Sequence, residues 1–444
     1  DGHKYIQDAY NKGARIFVVN EDIPLPDDSV KIYVEDSRPI LSKISANYFY
    51  HPAKELTIIG ITGTKGKTTT SNYIREILQS SGINTGIIGT NGIVYNQITE
   101  TTLNTTPESY ELQRILRSMA DSGVSHVVME VSSGGLMMDR VRDVDFDVAI
   151  FTNIYHDHIG PKEHPTFEHY LETKSKLFSM AKHGIINIDA QYSDYIMENS
   201  KCSIDTFSIE RTSDLQATNI ELSKSLEVLG STFLCNIKGR PNKFQLCMPG
   251  IFNIYNALAA IATCLYLEVD IDSIKETLSR VKVKGRVEVL PILDYATVIV
   301  DFAHNGVSLQ NILTTLKEYK HNRLVCLVGS VGKRSQSRRK EIGDVVAKEC
   351  DVCILTSDNL DYEDPMEIID QMARSFVGSN CLLIKEPDRK KAIRQGIQLL
   401  EKKDIFLIAG RGHESYHMVN GEKEYFSDQD VAIEAVKDLI HTKK

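Results

Sequence analysis

A short apolar run from Leu56 to Ile61 breaks into a glycine-spaced loop, Thr62 to Thr68, that leads into NYIREILQS, a segment with helical spacing. These residue types in this order suit a phosphate. Gly63 and Gly66 let backbone N–H groups approach phosphate oxygens, the first turn of a helix adds partial positive charge, and the Lys67 amine reaches the outermost phosphates. Thr64 and Thr69 belong to the same lining, and the Thr68 hydroxyl is placed to hold magnesium. The strict GxxxxGK[ST] spacing would put glycine at Ile61, so the loop has the variant form TGTxGKT.

Other chemistry-bearing residues sit where strands end. Glu130 closes the apolar run SHVVMEV, and parallel sheets open their ligand crevice at such ends, so Glu130 is expected beside the loop as a magnesium carboxylate. FDVAIFTN runs out into Asn153, His156, Asp157 and His158. Two histidines around an acid also read as a plain polar loop, but His158 leaves the sheet at the edge that carries Lys67 and Glu130, which favours a metal or phosphate role. In the next helical pattern, positions 167, 170, 171, 177 and 178 are apolar, and position 174 completes that stripe with a lysine. A lysine on an apolar face usually snorkels outward. Held near metals, Lys174 would instead be a modified or low-pKa ligand.

The elements needed to position these groups form an α/β chain. From Leu56 to about Val283, apolar strands (IIGIT, TGIIGT, SHVVMEV, DVAIFTN, GIINID) alternate with helical patterns at Pro107–Asp121 and Phe167–Met180. That alternation predicts a mostly parallel sheet covered by helices. Between Thr206 and Leu246 short strands with polar breaks predict a small antiparallel patch. From Arg286 a second series (TVIVDF, RLVCLVG, VCILTS, CLLIK, DIFLIAG) predicts another doubly wound unit. Residues 1 to 52 offer a helix at Tyr5–Lys12 and strands at 14–19 and 30–34, thin for a complete domain.

The chain has 444 residues, a quarter of them charged, a net charge of −9 and no long run of one sign. Those properties fit a multidomain cytoplasmic protein and argue against a nucleic-acid surface. No stretch approaches a membrane span or a signal peptide, so no membrane partner is expected. Eight scattered cysteines read as small core residues of a reducing compartment. Cys350 and Cys353 form a lone CxxC without the second pair that zinc needs.

In their order along the chain, GITGTKGKTTT, TTP at 105–107, EVSSGGL with Arg140, TNIYHDH, YLETK ending at Lys174, PGIFNIYNALAA, VDFAHN, TSDN and AGRGHE resemble the Mur ligases. The likeness is strongest to the MurE group, the UDP-N-acetylmuramoyl-dipeptide:amino-acid ligases of peptidoglycan precursor synthesis. This resemblance implies three domains: a UDP-substrate domain at 1–52, truncated because its early strands are missing before Asp1; a central ATPase at 53–283; and a Rossmann-like domain at 284–444. It also implies an ATP-dependent carboxylate–amine ligase in which a carboxylate attacks the γ-phosphate, ADP leaves, and an amine displaces phosphate from the acyl phosphate. The small-molecule substrates would be ATP, a UDP-sugar peptide and an amino acid.

Carried over by position, Thr68 and Glu130 would hold one magnesium ion, and His158 with a carbamylated Lys174 a second. Lys67, Lys174 and His158 would act in catalysis. Asn253, Asn256, Arg286, Asp301, His304 and Asn305 would contact ATP. Thr105, Thr106, Ser132 and Arg140 would hold the donor. Asp358, Asn359, Asp361, Gly410 and Glu414 would meet the acceptor. The diaminopimelate-using members carry DNPR, whose arginine pairs with the acceptor's distal carboxylate. Here the segment reads DNLD, and Asp361 predicts a cationic acceptor such as L-lysine. Gly134 replaces the usual histidine of SSH, Gly306 replaces a proline, and GSVGKRSQSRR replaces a GGDRD loop. These departures leave room for a different carboxylate donor, of folate or specialised-metabolite type. A phosphate-loop switch would need only Lys67, Thr68 and Glu130, and would leave Lys174, VDFAHN and AGRGHE without a role.

Overall fold

The computed structural model describes residues 2–156, 159–160, 163–223, 229–332, 336–359, 363–419 and 422–442. The chain forms two compact units, one of residues 1–216 with 255–274, the other of residues 217–254 with 275–444.

Two short parallel strands open the first unit, β1 (Ile16–Val19) and β2 (Val30–Tyr33). A helix follows at Ser37–Tyr48, an element not among those expected for residues 1 to 52. Asp36 caps it by accepting from the Arg38 N–H, and its buried residues are Ser42, Ser45 and Ala46. Its apolar Leu41, Ile44 and Tyr48 are exposed. Those three stand at helical spacing, so the apolar stripe of this helix faces outward.

The main sheet of this unit contains β3 (Thr57–Thr62), β4 (Thr85–Gly89), β5 (Gly92–Tyr95), β6 (Ile98–Glu100), β7 (His126–Glu130), β8 (Phe146–Phe151), β9 (Ala181–Asn187) and β10 (Ser203–Ser208). Their spatial order is β10-β9-β8-β3-β7-β4-β5-β6, parallel from β10 to β4 and antiparallel at β5 and β6. Strand β3 is the middle of the parallel set, so it is apolar on both faces. Its Ile58, Ile59 and Ile61 are fully buried.

The helix Lys67–Ser80 follows β3 and buries Tyr73, Ile74, Ile77 and Leu78 along one stripe. The expected helix from Phe167 ends at Ser175 and tightens into a 3-10 turn, Lys176–Ser179. Thr173 and Ser175 donate back to the carbonyls of His169 and Glu172, a local alternative that weakens α-helical continuation.

Strand β11 (Leu215–Leu222) starts in the first unit, where Leu215 and Gln216 pair in parallel with β10. Its later residues pair antiparallel with β12 (Ser231–Ile237), which pairs with β13 (Arg240–Leu246), the antiparallel patch expected there. The second unit's sheet holds β14 (Glu288–Leu290), β15 (Thr297–Asp301), β16 (Leu324–Val328), β17 (Val352–Leu355), β18 (Leu382–Lys385) and β19 (Ile405–Ala409). The order is β14-β15-β19-β16-β17-β18, parallel apart from β14. Period-2 alternation sends Leu324, Cys326 and Val328 into one core layer and Val325 and Leu327 into the other. Strands β20 (Tyr416–Val419) and β21 (Glu422–Tyr425) form a small hairpin. Among the described residues no helix is long and apolar enough to cross a membrane.

Candidate active site

The phosphate loop joins the end of β3 to the helix at Lys67, and its backbone is shaped by two glycines. Gly66 has φ +89° and a Cβ there would lie 2.4 Å from Asn256 Oδ1; Gly63 has φ +147° and a Cβ would lie 2.0 Å from Thr152 Oγ1. Only glycine accepts such angles with neighbours so close. Asn153 fixes the loop from the next strand end, accepting from the Lys65 N–H at 2.9 Å and donating to the Lys65 carbonyl at 3.1 Å. Thr64 Oγ1 accepts from the Tyr155 N–H and lies 3.0 Å from the Tyr170 hydroxyl.

Two ammonium groups meet at one carbonyl in this loop. Lys67 Nζ donates to Gly63 O at 2.8 Å and to Thr64 O at 3.3 Å, and Lys174 Nζ donates to the same Gly63 O at 3.0 Å. Lys174 is only 1% exposed, so its stripe position turns inward rather than snorkelling out, and its amine lies 4.7 Å from the Tyr170 ring centroid. Like charges held this close repel each other.

Glu130 is buried at the end of β7, and its carboxylate accepts from Thr68 and Thr90. Thr68 Oγ1 donates to Oε2 at 3.1 Å, Thr90 Oγ1 to Oε2 at 3.0 Å, and the Thr90 N–H to Oε1 at 3.0 Å. A hydroxyl and a carboxylate so placed beside a phosphate loop are hard oxygen donors of the kind magnesium takes. Thr90 was missing from the sequence-derived set, although it follows the apolar strand TGIIG just as Glu130 follows its own.

The expected donor-binding residues form one cluster linked to this carboxylate. Thr105 Oγ1 lies 3.2 Å from Thr90 Oγ1. Thr106 Oγ1 donates to Glu130 O at 2.9 Å and accepts from the Ser132 N–H at 2.9 Å. Arg140 donates to Thr106 O at 3.0 Å and pairs with Glu108 at 2.6 Å. Ser132 also caps the short helix Ser133–Met137. A Cβ at Gly134 would meet nothing within 4 Å.

The helix Ile251–Tyr266 carries Asn253 and Asn256. In the first unit Asn256 packs against Gly66 and accepts from Thr70 Oγ1 at 3.4 Å. In the second unit Asn253 donates to Pro249 O at 2.7 Å. Asp301, at the end of β15, accepts from the Val287 and Ala303 N–H groups; His304 Nδ1 lies 2.8 Å from Phe302 O; and Asn305 caps the helix Gly306–Lys317. The Arg286 guanidinium sits 4.6 Å from the Phe302 ring centroid. These four therefore shape the β15 edge of the second unit.

The residues expected to meet the acceptor, as far as they are described, gather at the ends of β17 and β19. Asp358 and Asn359 follow β17, Gly410 follows β19 with φ +116°, and Glu414 lies in the loop after it. The Glu414 carboxyl is pushed up to about 7, first by burial and then by the Asp358 charge, against the pull of Arg411 and Arg389. Arg411 joins Asp358, Asn359 and Glu414, and sequence reading passed over it inside AGRGHE. His158 and Asp361 lie outside the described residues. Cys350 and Cys353 are free thiols, Cys350 pushed up by its hydrogen bond with Cys326 and then by burial, Cys353 pushed up by burial, and the described residues hold no group of three or more metal-competent side chains.

A phosphate loop opening a helix at the carboxyl edge of a parallel sheet, with a hydroxyl and a carboxylate beside it, defines an enzyme that uses a nucleoside triphosphate. The Mur ligase middle domain matches residues 61–264, and the Mur ligase glutamate ligase domain matches residues 285–412. The chain belongs to the Mur ligase family and is an ATP-dependent amide ligase. It is 39% identical to the UDP-N-acetylmuramoyl-L-alanyl-D-glutamate--2,6-diaminopimelate ligase of Clostridium perfringens, over 98% of this chain and 90% of that protein. The ligase of the same name from Caldanaerobacter subterraneus is 38% identical, over 98% and 89%. A solved structure of a ligase bearing that name superposes with a TM-score of 0.69 at 26% identity, covering 99% of this chain and 90% of the other.

Proposed function

We propose that the chain joins the amino group of a diamino acid to the terminal carboxylate of a UDP-N-acetylmuramoyl-dipeptide in peptidoglycan precursor synthesis. The observation that carries this reading is the convergence of Lys67 and Lys174 on Gly63 O, next to the Thr68–Glu130 pair. The loop N–H groups and Lys67 would cradle the β and γ phosphates of ATP. Thr106, Ser132 and Arg140 would steer the donor carboxylate towards the γ-phosphorus. One carboxylate oxygen forms the new P–O bond, ADP leaves, and the amine displaces inorganic phosphate as it forms the amide. Magnesium, when bound by Thr68 and Glu130, neutralises charge on the transferring phosphoryl group.

Lys174 is proposed to act as its carbamate, with His158 as its partner at a second ion. Carbamylation replaces one of two crowded cations by an anion, which relieves the repulsion at Gly63 and supplies an oxygen ligand. Lys174→Ala should lose most turnover, and short carboxylic acids should restore part of it. Full activity in Lys174→Ala would remove this role.

The names of the relatives favour diaminopimelate as acceptor, whereas Asp361, standing where an arginine would read a distal carboxylate, favours L-lysine or ornithine. We take the cationic acceptor as the primary reading and the three-part division at 52 and 283 as its domain frame. Phosphate release measured over a panel of carboxylate donors and amines tests the function. Release that needs neither donor nor amine would make the chain a nucleotide hydrolase instead.

A further inference from the structure

Two buried arginines organise the strand ends of the second unit. Arg389 donates to the Asp428 carboxylate at 2.8 and 2.7 Å, to Ala409 O at 3.0 Å and to Ser357 O at 3.3 Å. It thereby ties the segment after β17 to the end of β19. Arg411 is 1% exposed. Its Nη1 donates to Asp358 Oδ1 at 3.3 Å and Asn359 Oδ1 at 3.4 Å; its Nη2 donates to Tyr416 O and lies 3.7 Å from Glu414 Oε2.

Asp358, Glu414 and Asp428 face Arg389 and Arg411, and with all five ionised one negative charge is in excess. An unbalanced buried charge is costly, so the pocket gains either by keeping a proton or by taking up a cation. A planar guanidinium fork can hold two acids and an amide at once, which a point-charge ammonium does poorly.

We propose that Arg411 is a positioning residue that presents Asp358, Asn359 and Glu414 as a cation-seeking pocket, and that an ammonium group of the acceptor amino acid supplies the missing positive charge. This rests on the ligase reading above. Arg411 itself need not touch the acceptor: removing it would loosen the two carboxylates and leave both repelling each other.

The test measures the KM for the preferred acceptor, L-lysine or meso-diaminopimelate, across pH in wild type, Arg411→Lys and Arg411→Met, with ATP and donor saturating. Arg411→Met should raise the acceptor KM by about 30-fold or more, as expected for loss of charge-assisted contacts, with the ATP KM changed less than about twofold. In wild type the acceptor KM should fall as pH rises through about 7, where Glu414 ionises. Without the guanidinium that fall should move to higher pH, and Arg411→Lys should lie between the two proteins in both readouts. If Arg411→Met does not fold, the KM and pH shift of Arg411→Lys decide. Variants with wild-type acceptor KM and pH profile overturn the assignment alone, as does a uniform loss in all kinetic constants without a pH shift. Wild-type protein without amine-dependent phosphate release overturns the ligase reading and this inference with it.

Discussion

The phosphate loop of the first unit and the charged pocket of the second both sit at the carboxyl ends of parallel strands, but different parts of the chain hold them in shape. The loop is a backbone object: positive-φ glycines, carbonyls that receive lysine amines, and Asn153 clasping both peptide groups of Lys65. The pocket is a side-chain object, built from two arginines and three carboxylates whose charges nearly cancel. A backbone site responds to shape and tolerates pH; a site of balanced buried charges responds to any gain or loss of charge. Substitutions in the first should therefore be read in turnover and strain, and those in the second in selectivity and pH.

The largest effect expected is on the loop side. Lys67→Ala should lower ATP turnover by about 1,000-fold, the scale of losing a charge that stabilises a transferring phosphoryl group. Its melting temperature should stay close to wild type, because the Lys67 amine donates to loop carbonyls at Gly63 and Thr64 rather than packing in the apolar core. Wild-type-like phosphate release from this variant would end the phosphate-loop assignment.

Gly66→Ala probes the same site through the backbone. At φ +89°, with Asn256 Oδ1 2.4 Å from the added Cβ, the substitution forces strain on the order of 1–3 kcal/mol or displaces Asn256. Turnover should drop by about 100-fold with a measurable loss of thermal stability. An unchanged ATP KM and melting temperature would show that the loop relaxes freely, and the backbone side of the contrast would fail.

How much of this was legible in the sequence follows the same divide. The loop, Glu130, Lys174 and the parallel strands announce themselves, since each is a local signal of glycine spacing, strand ending or helical stripe. The helix Ser37–Tyr48 was legible in the helical spacing of Leu41, Ile44 and Tyr48; what the sequence does not show is that this stripe is exposed and that Ser42, Ser45 and Ala46 are the buried residues. Thr90 and Arg411 stayed hidden because their roles are set by partners far along the chain, Glu130 for one and Asp358 for the other. Asn305 was expected at the nucleotide, and the described structure uses its side chain as a helix cap. Sequence gives type and local place; the fold sets the partner, near in the chain for Asn305 and far for Thr90 and Arg411.

On the pocket side, Glu414 makes the contrast measurable by pH. Its folded value, about 7, lies above that of an unfolded glutamate, so between the two the folded chain binds more protons than the unfolded one. The stability it contributes is fully present below the unfolded value and is lost as pH rises through about 7. Glu414→Gln should flatten that part of the stability profile and remove the fall in acceptor KM over the same window, at a cost of about tenfold in acceptor affinity at pH 8. The loop variants should leave this inflection in place. An inflection that survives in Glu414→Gln would place the titrating group elsewhere.

The smallest and most specific effect concerns Asp361, which the segment DNLD puts next to Asp358 and Asn359 in sequence. An acceptor that ends in an ammonium alone gains from an aspartate there, whereas one that ends in both an ammonium and a carboxylate meets repulsion at the carboxylate. A partly buried charge-assisted contact is worth about 1.5–3 kcal/mol, so reversing the charge should alter the ratio of kcat/KM values by roughly 10-fold to 100-fold. Competition between L-lysine and meso-diaminopimelate in wild type should favour L-lysine, and Asp361→Arg should shift the ratio towards meso-diaminopimelate. The ATP KM should not move, because the substitution leaves the loop residues that would cradle ATP unchanged. A wild-type preference for meso-diaminopimelate that Asp361→Arg leaves unchanged would show that this position does not read the acceptor. In that event the distal group would have to be met by the Arg411-centred pocket itself, whose excess negative charge suits the ammonium common to both amino acids.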